Sequence, residues 1–197
     1  MSIFTQLEDL YKRKVLRQGR DRWNYQYAAG RWDNLADLNE LSRFSVIVGY
    51  AQHLKPQGSI LELGAGPGVL VQRFDKSKYG RYLVTDLSDV AIEAARAELA
   101  DEKTFFEVAD MNTYQPKEKF DVIIINEAIY YAPSVQAALD RFAPYLNEGG
   151  IFIVSINDDG GRNAKWHVEM DACSYPKIDQ TTVSTNKNTF VISVLGA

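Results

Sequence analysis

The chain has 197 residues, 46% of them hydrophobic and 24% charged, with a formal net charge of −4. That length suffices for one domain with a full core, and the acidic balance argues against a general nucleic-acid surface. No apolar run approaches the ~20 residues of a membrane span, and residues 1–9 lack the basic start and long apolar stretch of a secretory signal. The lone Cys173 excludes an intrachain disulfide and points to a reducing, cytoplasmic setting. His53 and His167 stand far apart, outside any zinc-ligand spacing, so no metal site is expected.

The first cluster along the chain is basic: Lys12-Arg13-Lys14 with Arg17, Arg20 and Arg22. Glu8, Asp9 and Asp21 offset it, which suits a solvated helical face. Residues 21–33 then concentrate aromatic and basic side chains, with Trp23, Tyr25, Tyr27, Arg31 and Trp32. These either pack as ordinary core or seal a site and contact a cationic centre. A helix is predicted over residues 35–54, with Leu38, Leu41, Phe44, Ile47 and Val48 on its apolar face.

Next comes a buried strand at residues 59–63, running into Gly64-Ala65-Gly66-Pro67-Gly68. Three alternate glycines tolerate positive φ and carry no side chain to block a ligand. The spacing is not the Gly-x-Gly-x-x-Gly of dinucleotide folds, and the Lys-Ser/Thr pair of a phosphate-cradling loop is missing. Residues 69–74 read as helix-like. A second strand at residues 81–85 ends on Asp86, where nucleotide sites place a carboxylate for ribose hydroxyls. Ser88 is the better cap for the helix that follows.

A third strand, residues 104–108, leads to Ala109-Asp110-Met111. The fourth, residues 120–125, has four β-branched residues without alternation, the mark of a strand buried on both faces. It ends in Asn126-Glu127-Ala128-Ile129-Tyr130-Tyr131, and ligands bind where such strands end. A helix over residues 133–145, a Gly149-Gly150 turn and a strand over residues 151–156 follow. A short helix holding Trp166, His167 and Met170 then precedes two strands, residues 181–185 and 189–195, joined as a hairpin.

Glu62-x-Gly64-x-Gly66-x-Gly68 after the first strand resembles motif I of the class I S-adenosylmethionine (SAM) dependent methyltransferases, and the order of elements over residues 59–156 matches that family. The resemblance implies an α/β fold with a seven-stranded Rossmann-like sheet, order 3-2-1-4-5-7-6, the last strand antiparallel. It implies a single domain over residues 1–197, with residues 1–55 as an N-terminal helical cap over the site and residues 56–197 as the SAM-binding core. It also implies SAM as cofactor, held by Glu62, Gly64, Ala65, Gly66, Gly68, Asp86, Leu87, Asp110, Met111 and Asn126, with Asp110 on the adenine amine and Met111 on its ring.

Glu127-x-x-Tyr130-Tyr131 is similar to the Glu-x-x-Tyr-Tyr run of nodulation-type N-methyltransferases. On that ground Glu127 and Tyr131 are candidate catalytic residues, Glu127 to hold an ammonium or take its proton. The alternatives are a helix-end carboxylate or a contact to the cofactor's amino group for Glu127, and core packing for Tyr130 and Tyr131. His167 is the candidate general base, against a plain helix residue. The expected reaction is in-line methyl transfer to an N or O atom of a small-molecule acceptor: an amine, amino sugar or hydroxylated metabolite. A homodimer contact is the alternative use of the aromatic lid. An Asn/Asp-Pro-Pro-aromatic motif of amino-methylating DNA enzymes is missing after residue 126, and Asp158, Asp159 and Glu127 do not space as a magnesium site. A non-catalytic cofactor binder and an NAD(P)-dependent oxidoreductase are the competing readings.

Overall fold

The computed structural model describes residues 19–197. The basic residues Lys12, Arg13, Lys14 and Arg17 and the segment 1–9 read for a secretory signal lie outside that span. From residue 19 the chain runs α1 (Arg20–Ala28), α2 (Leu38–Leu54), β1 (Ser59–Leu63), β2 (Arg81–Asp86), α3 (Asp89–Leu99), β3 (Thr104–Val108) and β4 (Phe120–Asn126). It continues through α4 (Val135–Phe142), β5 (Leu146–Asn157), α5 (Ala164–Ala172), β6 (Lys177–Ser184) and β7 (Thr189–Gly196).

The strands form one sheet in the order β3-β2-β1-β4-β5-β7-β6. β3, β2, β1, β4 and β5 are mutually parallel, while β7 runs antiparallel to both β5 and β6. This is the sheet the resemblance implies. Successive strand residues face opposite sides, and both sides are covered. Ile60, Val84, Val122 and Ile124 pack toward Phe44 and Ile47 of α2 and Ile92 of α3. Leu61, Leu83, Ile123 and Ile125 pack toward Val135, Leu139 and Phe142 of α4 and Met170 of α5. Val122, Ile123, Ile124 and Ile125 are fully buried, each side chain contributing ~1.5–3 kcal/mol. Removing alternation from β4 is therefore what lets it sit at the centre of the sheet.

Several elements depart from the sequence expectation, among them β5, which starts at Leu146 and takes in the expected Gly149-Gly150 turn, and β6, which starts at Lys177. Residues 69–74 do not form an α-helix: the β1–β2 connection contains only 3-10 turns at Val71–Arg73 and Lys76–Lys78. Gly68 is left-handed at φ 75° and Asp75 starts a new turn by accepting from the Ser77 amide. The six residues between them are too few to repay helix nucleation, so Leu70, Val71 and Phe74 instead tuck directly into the core. The helix after β4 starts at Val135 because Ser134 caps it through the Ala137 amide at 3.1 Å. It gives way to a 3-10 turn at Ala143–Tyr145, where Pro144 has no N–H to donate.

α2 buries Phe44 and Ile47 as expected, but the rest of its inward face differs. Leu38 is 81% exposed, whereas Glu40, Arg43, Phe44, Ile47 and Ala51 are buried at spacings of three and four. Two charges lie on the core stripe because they neutralise each other, Arg43 Nη2 standing 2.9 Å from Glu40 Oε2. Asn188 Nδ2 donates to the other Glu40 oxygen at 2.8 Å. The Arg43 guanidinium is stacked between Phe44 and Phe190, 4.5 and 4.7 Å from their ring centroids.

Candidate active site

The carboxyl ends of β1, β2 and β4 open into a cavity of about 310 Å³, within the range of small-molecule sites. Its floor is the glycine loop. Gly64, Gly66 and Gly68 have φ values of 69°, 58° and 75°, which side-chain-bearing residues adopt at a cost. A Cβ on Gly66 would stand 2.7 Å from the Tyr27 hydroxyl, so the glycine also lets α1 close down on the loop. Asp86, at the end of β2, fastens the loop from the side. One of its oxygens accepts from the Gly66 amide and the other from the Ser88 amide, both at 2.8 Å. Burial pushes its carboxyl above the usual range, and the Ser88, Gly66 and Leu87 amides pull it back.

Gly64, Ala65, Gly66, Asp86, Leu87, Asp110, Met111 and Asn126 all line this cavity, as do Glu127 and Tyr131. Glu62, Gly68 and His167 lie elsewhere. Gly68 is buried against Leu99 and Ala95 of α3. His167 sits on α5 with Nε2 3.4 Å from the Asn157 carbonyl. Asp110 accepts from the Asn112 amide at 2.9 Å, and Asn112 Nδ2 donates to the Tyr131 carbonyl at 3.0 Å, joining the loops after β3 and β4. Asn126 lines the cavity, and its Oδ1 is buried with no hydrogen-bond partner, a condition that calls for an explanation in a folded protein.

The roof is aromatic. Trp23, Tyr27 and Trp32 line the cavity from above, and Tyr131 from the 3-10 turn after β4. The Trp23 ring meets Tyr131 edge-on at 5.1 Å and Trp32 at 5.8 Å. Tyr25 and Arg31 stack on each other instead, 5.6 Å apart. α1 has no strongly apolar face, and Asn24 tethers it: it accepts from Ser88 Oγ at 2.7 Å and donates to Asp89 at 2.5 Å. Ser88 simultaneously caps α3 through the Ala91 amide, as expected.

Glu127 is left-handed, at φ 55°. Its carboxylate accepts from Ser155 Oγ at 2.6 Å, Tyr130 Oη at 2.7 Å and the Asn157 amide at 3.1 Å. It also faces Arg43 at 4.0 Å. Tyr131 is pushed up to about 12, first by burial, with Arg22 opposing. Arg43 and Phe44 line the same cavity; the sequence pointed to Phe44 only as a core residue and did not point to Arg43. The one available signal was the Glu40-x-x-Arg43 pair in register with Phe44 and Ile47.

Glu62 lies under the loop, 1% exposed, accepting from the Tyr82 hydroxyl at 2.8 Å. Burial raises its carboxyl from 4.5 to about 8, while Tyr82 and Arg43 oppose the rise. In the unfolded chain Glu62 loses its proton near 4.5, but in the fold it keeps it to about 8. Its stabilising contribution is thus complete below 4.5 and drains away as pH climbs to about 8. Glu62→Gln copies the protonated form, so the wild-type melting temperature is expected to fall relative to the variant between pH 5 and pH 8. Parallel melting curves over that window would remove Glu62 as the source.

A family model described as "Methyltransferase domain" matches residues 61–152, the stretch carrying the glycine loop, Asp86, Asp110 and Glu127. Malonyl-[acyl-carrier protein] O-methyltransferase 1 of Ilyobacter polytropus is 24% identical over 88% of this chain and 68% of its own length. Trans-aconitate 2-methyltransferase of Rhizobium etli is 30% identical over 63% of the chain and 46% of its own length. The chain thus spans about two thirds of the first relative and less than half of the second. In fold it is similar to the N-methyltransferase NodS of Bradyrhizobium japonicum, solved with S-adenosyl-L-homocysteine (SAH). The TM-score is 0.71 at 16% identity, covering 82% of this chain and 89% of that one. The matched segment contains the loop and strands that build the cavity floor, and the whole sheet, with its β7 reversal, is similar in fold to solved S-adenosylmethionine-dependent methyltransferases.

Proposed function

We propose that the chain transfers a methyl group from SAM to an N or O atom of a small-molecule acceptor. The observation that carries this reading is the left-handed glycine loop fastened to Asp86 beneath an aromatic roof, with Asn126 Oδ1 left unpaired in the same cavity. The chemistry of the donor set fits the cofactor. Asp86 would take the ribose hydroxyls, Asp110 the adenine amine and Met111 the ring face. Asn126 would accept from the amino-acid ammonium, and Arg43, buried and lining the cavity, would face its carboxylate.

When bound, the cofactor supplies an electrophilic methyl group on a positively charged sulfur. The residues of this chain then have to align an acceptor and exclude water, and alignment is the larger task. Trp23, Tyr27 and Trp32 close the cavity from above. Glu127 holds Arg43, Tyr130 and the end of β5 in place. The relatives' names, which include a malonyl and a trans-aconitate acceptor, support a small acid or oxygen acceptor alongside the amines and hydroxylated metabolites.

Calorimetry with SAM, SAH and NADH tests the cofactor. Micromolar binding of the two sulfur ligands and none of NADH is expected. Silence for both sulfur ligands overturns the reading.

A further inference from the structure

Arg22 of α1 stands beside the aromatic roof, next to the residues that line the cavity. Its guanidinium carbon is 5.7 Å from the centroid of Trp23, which lines the cavity and touches Tyr131. Its positive charge acts on the Tyr131 hydroxyl, and its Nε is buried without a hydrogen-bond partner. A buried donor in that condition costs free energy until an acceptor atom meets it. A guanidinium edge is matched geometrically by a carboxylate. It repels an ammonium.

The side chains that would take a proton from an amine or a hydroxyl are committed elsewhere. The Glu127 oxygens accept three hydrogen bonds and face Arg43. His167 stands at the Asn157 carbonyl on α5, apart from the cavity lining. An acceptor that attacks without first losing a proton suits such a wall. A carboxylate does so at neutral pH, since it ionises near pH 4.

Resting on the methyltransferase reading, we propose that the acceptor is a carboxylic acid, paired with Arg22 beside Trp23 and Tyr131, and that the product is its methyl ester. A lone pair of one carboxylate oxygen forms the new O–C bond to the methyl carbon. The S–C bond breaks with its electron pair going to sulfur, and no proton is released. The acceptor goes from one negative charge to none as the sulfonium loses its positive charge. Amine or hydroxyl methylation would release one proton per turnover.

The test uses the full chain loaded with SAH and titrated with benzoate, succinate and trans-aconitate, beside benzylamine and phenol as matched probes. Binding of at least one acid is expected, weakened about 10- to 100-fold by Arg22→Gln with SAH affinity unchanged. Arg22→Lys should recover part of it. With methyl-labelled SAM, the product should release labelled methanol on mild alkali, with no acidification of a weakly buffered reaction. Failure of every acid to bind, acid affinity indifferent to Arg22→Gln, or an alkali-stable product on an amine or phenol overturns the proposal and leaves the methyltransferase reading standing. Failure of SAH itself to bind overturns that reading instead.

Discussion

Asp86→Asn is expected to lower SAH affinity by about 100-fold or more while the chain stays folded. Asp86 is 7% exposed, and its oxygens already hold the Gly66 and Ser88 amides. Each oxygen keeps a lone pair for a ribose hydroxyl. Hydrogen bonds to a charged group contribute ~1.5–3 kcal/mol each. Asparagine removes the charge, keeps one carbonyl oxygen and turns an NH2 against an amide N–H. Losing ~3 kcal/mol corresponds to about two decades in affinity. Asp86→Ala adds a second effect, because two buried N–H groups lose their acceptor at ~1–3 kcal/mol each, so its melting temperature should drop as well. The asparagine variant separates binding from folding. If calorimetry gave it wild-type affinity, Asp86 would be a fastener of the loop and nothing more.

The same double role shows why parts of the site were legible in the sequence and parts were not. Asp86 stood out because a carboxylate at a strand tip, a fixed distance after a glycine turn, has few other uses. β4 stood out because Val122-Ile123-Ile124-Ile125 abandons alternation, which only a strand covered on both faces can do. The sheet order could not come from hydropathy; it followed from the family resemblance, and the register confirms it. Residues 69–74 carry an apolar spacing that suits a helix or a tucked loop equally, and the Gly68 and Asp75 backbones decide between them. Arg43 was hidden for a different reason. A charge on an apolar helix stripe reads as a surface residue until its counter-charge and its flanking rings, here Glu40, Phe44 and Phe190, are known to converge. Glu62 and Gly68 belong to the motif by pattern yet underlie the loop instead of lining the cavity, a distinction of depth that one-dimensional spacing does not carry.

Glu127→Ala is expected to cost about 3–5 kcal/mol of stability, roughly 10 °C in melting temperature for a chain of this size. The carboxylate is the common acceptor of Tyr130, Ser155 and the Asn157 amide, and it shares Arg43 with Glu40. Ser155 is fully buried, so its hydroxyl has no water to turn to. Alanine would also keep the left-handed backbone at φ 55° while deleting the network that holds it there. Glu127→Gln discriminates between positioning and proton transfer. The amide still offers an oxygen to Tyr130 and Asn157, and the Ser155 hydroxyl can rotate to accept. A positioning residue therefore predicts a small loss of stability and turnover within about tenfold of wild type. A base predicts a near-normal melting temperature with turnover down by about 10²–10⁴-fold, the usual contribution of general-base catalysis. Stopped turnover in a well-folded Gln variant would make Glu127 the group that takes the acceptor's proton. It would also count against a carboxylate acceptor, because an acid that is already ionised leaves such a base nothing to remove.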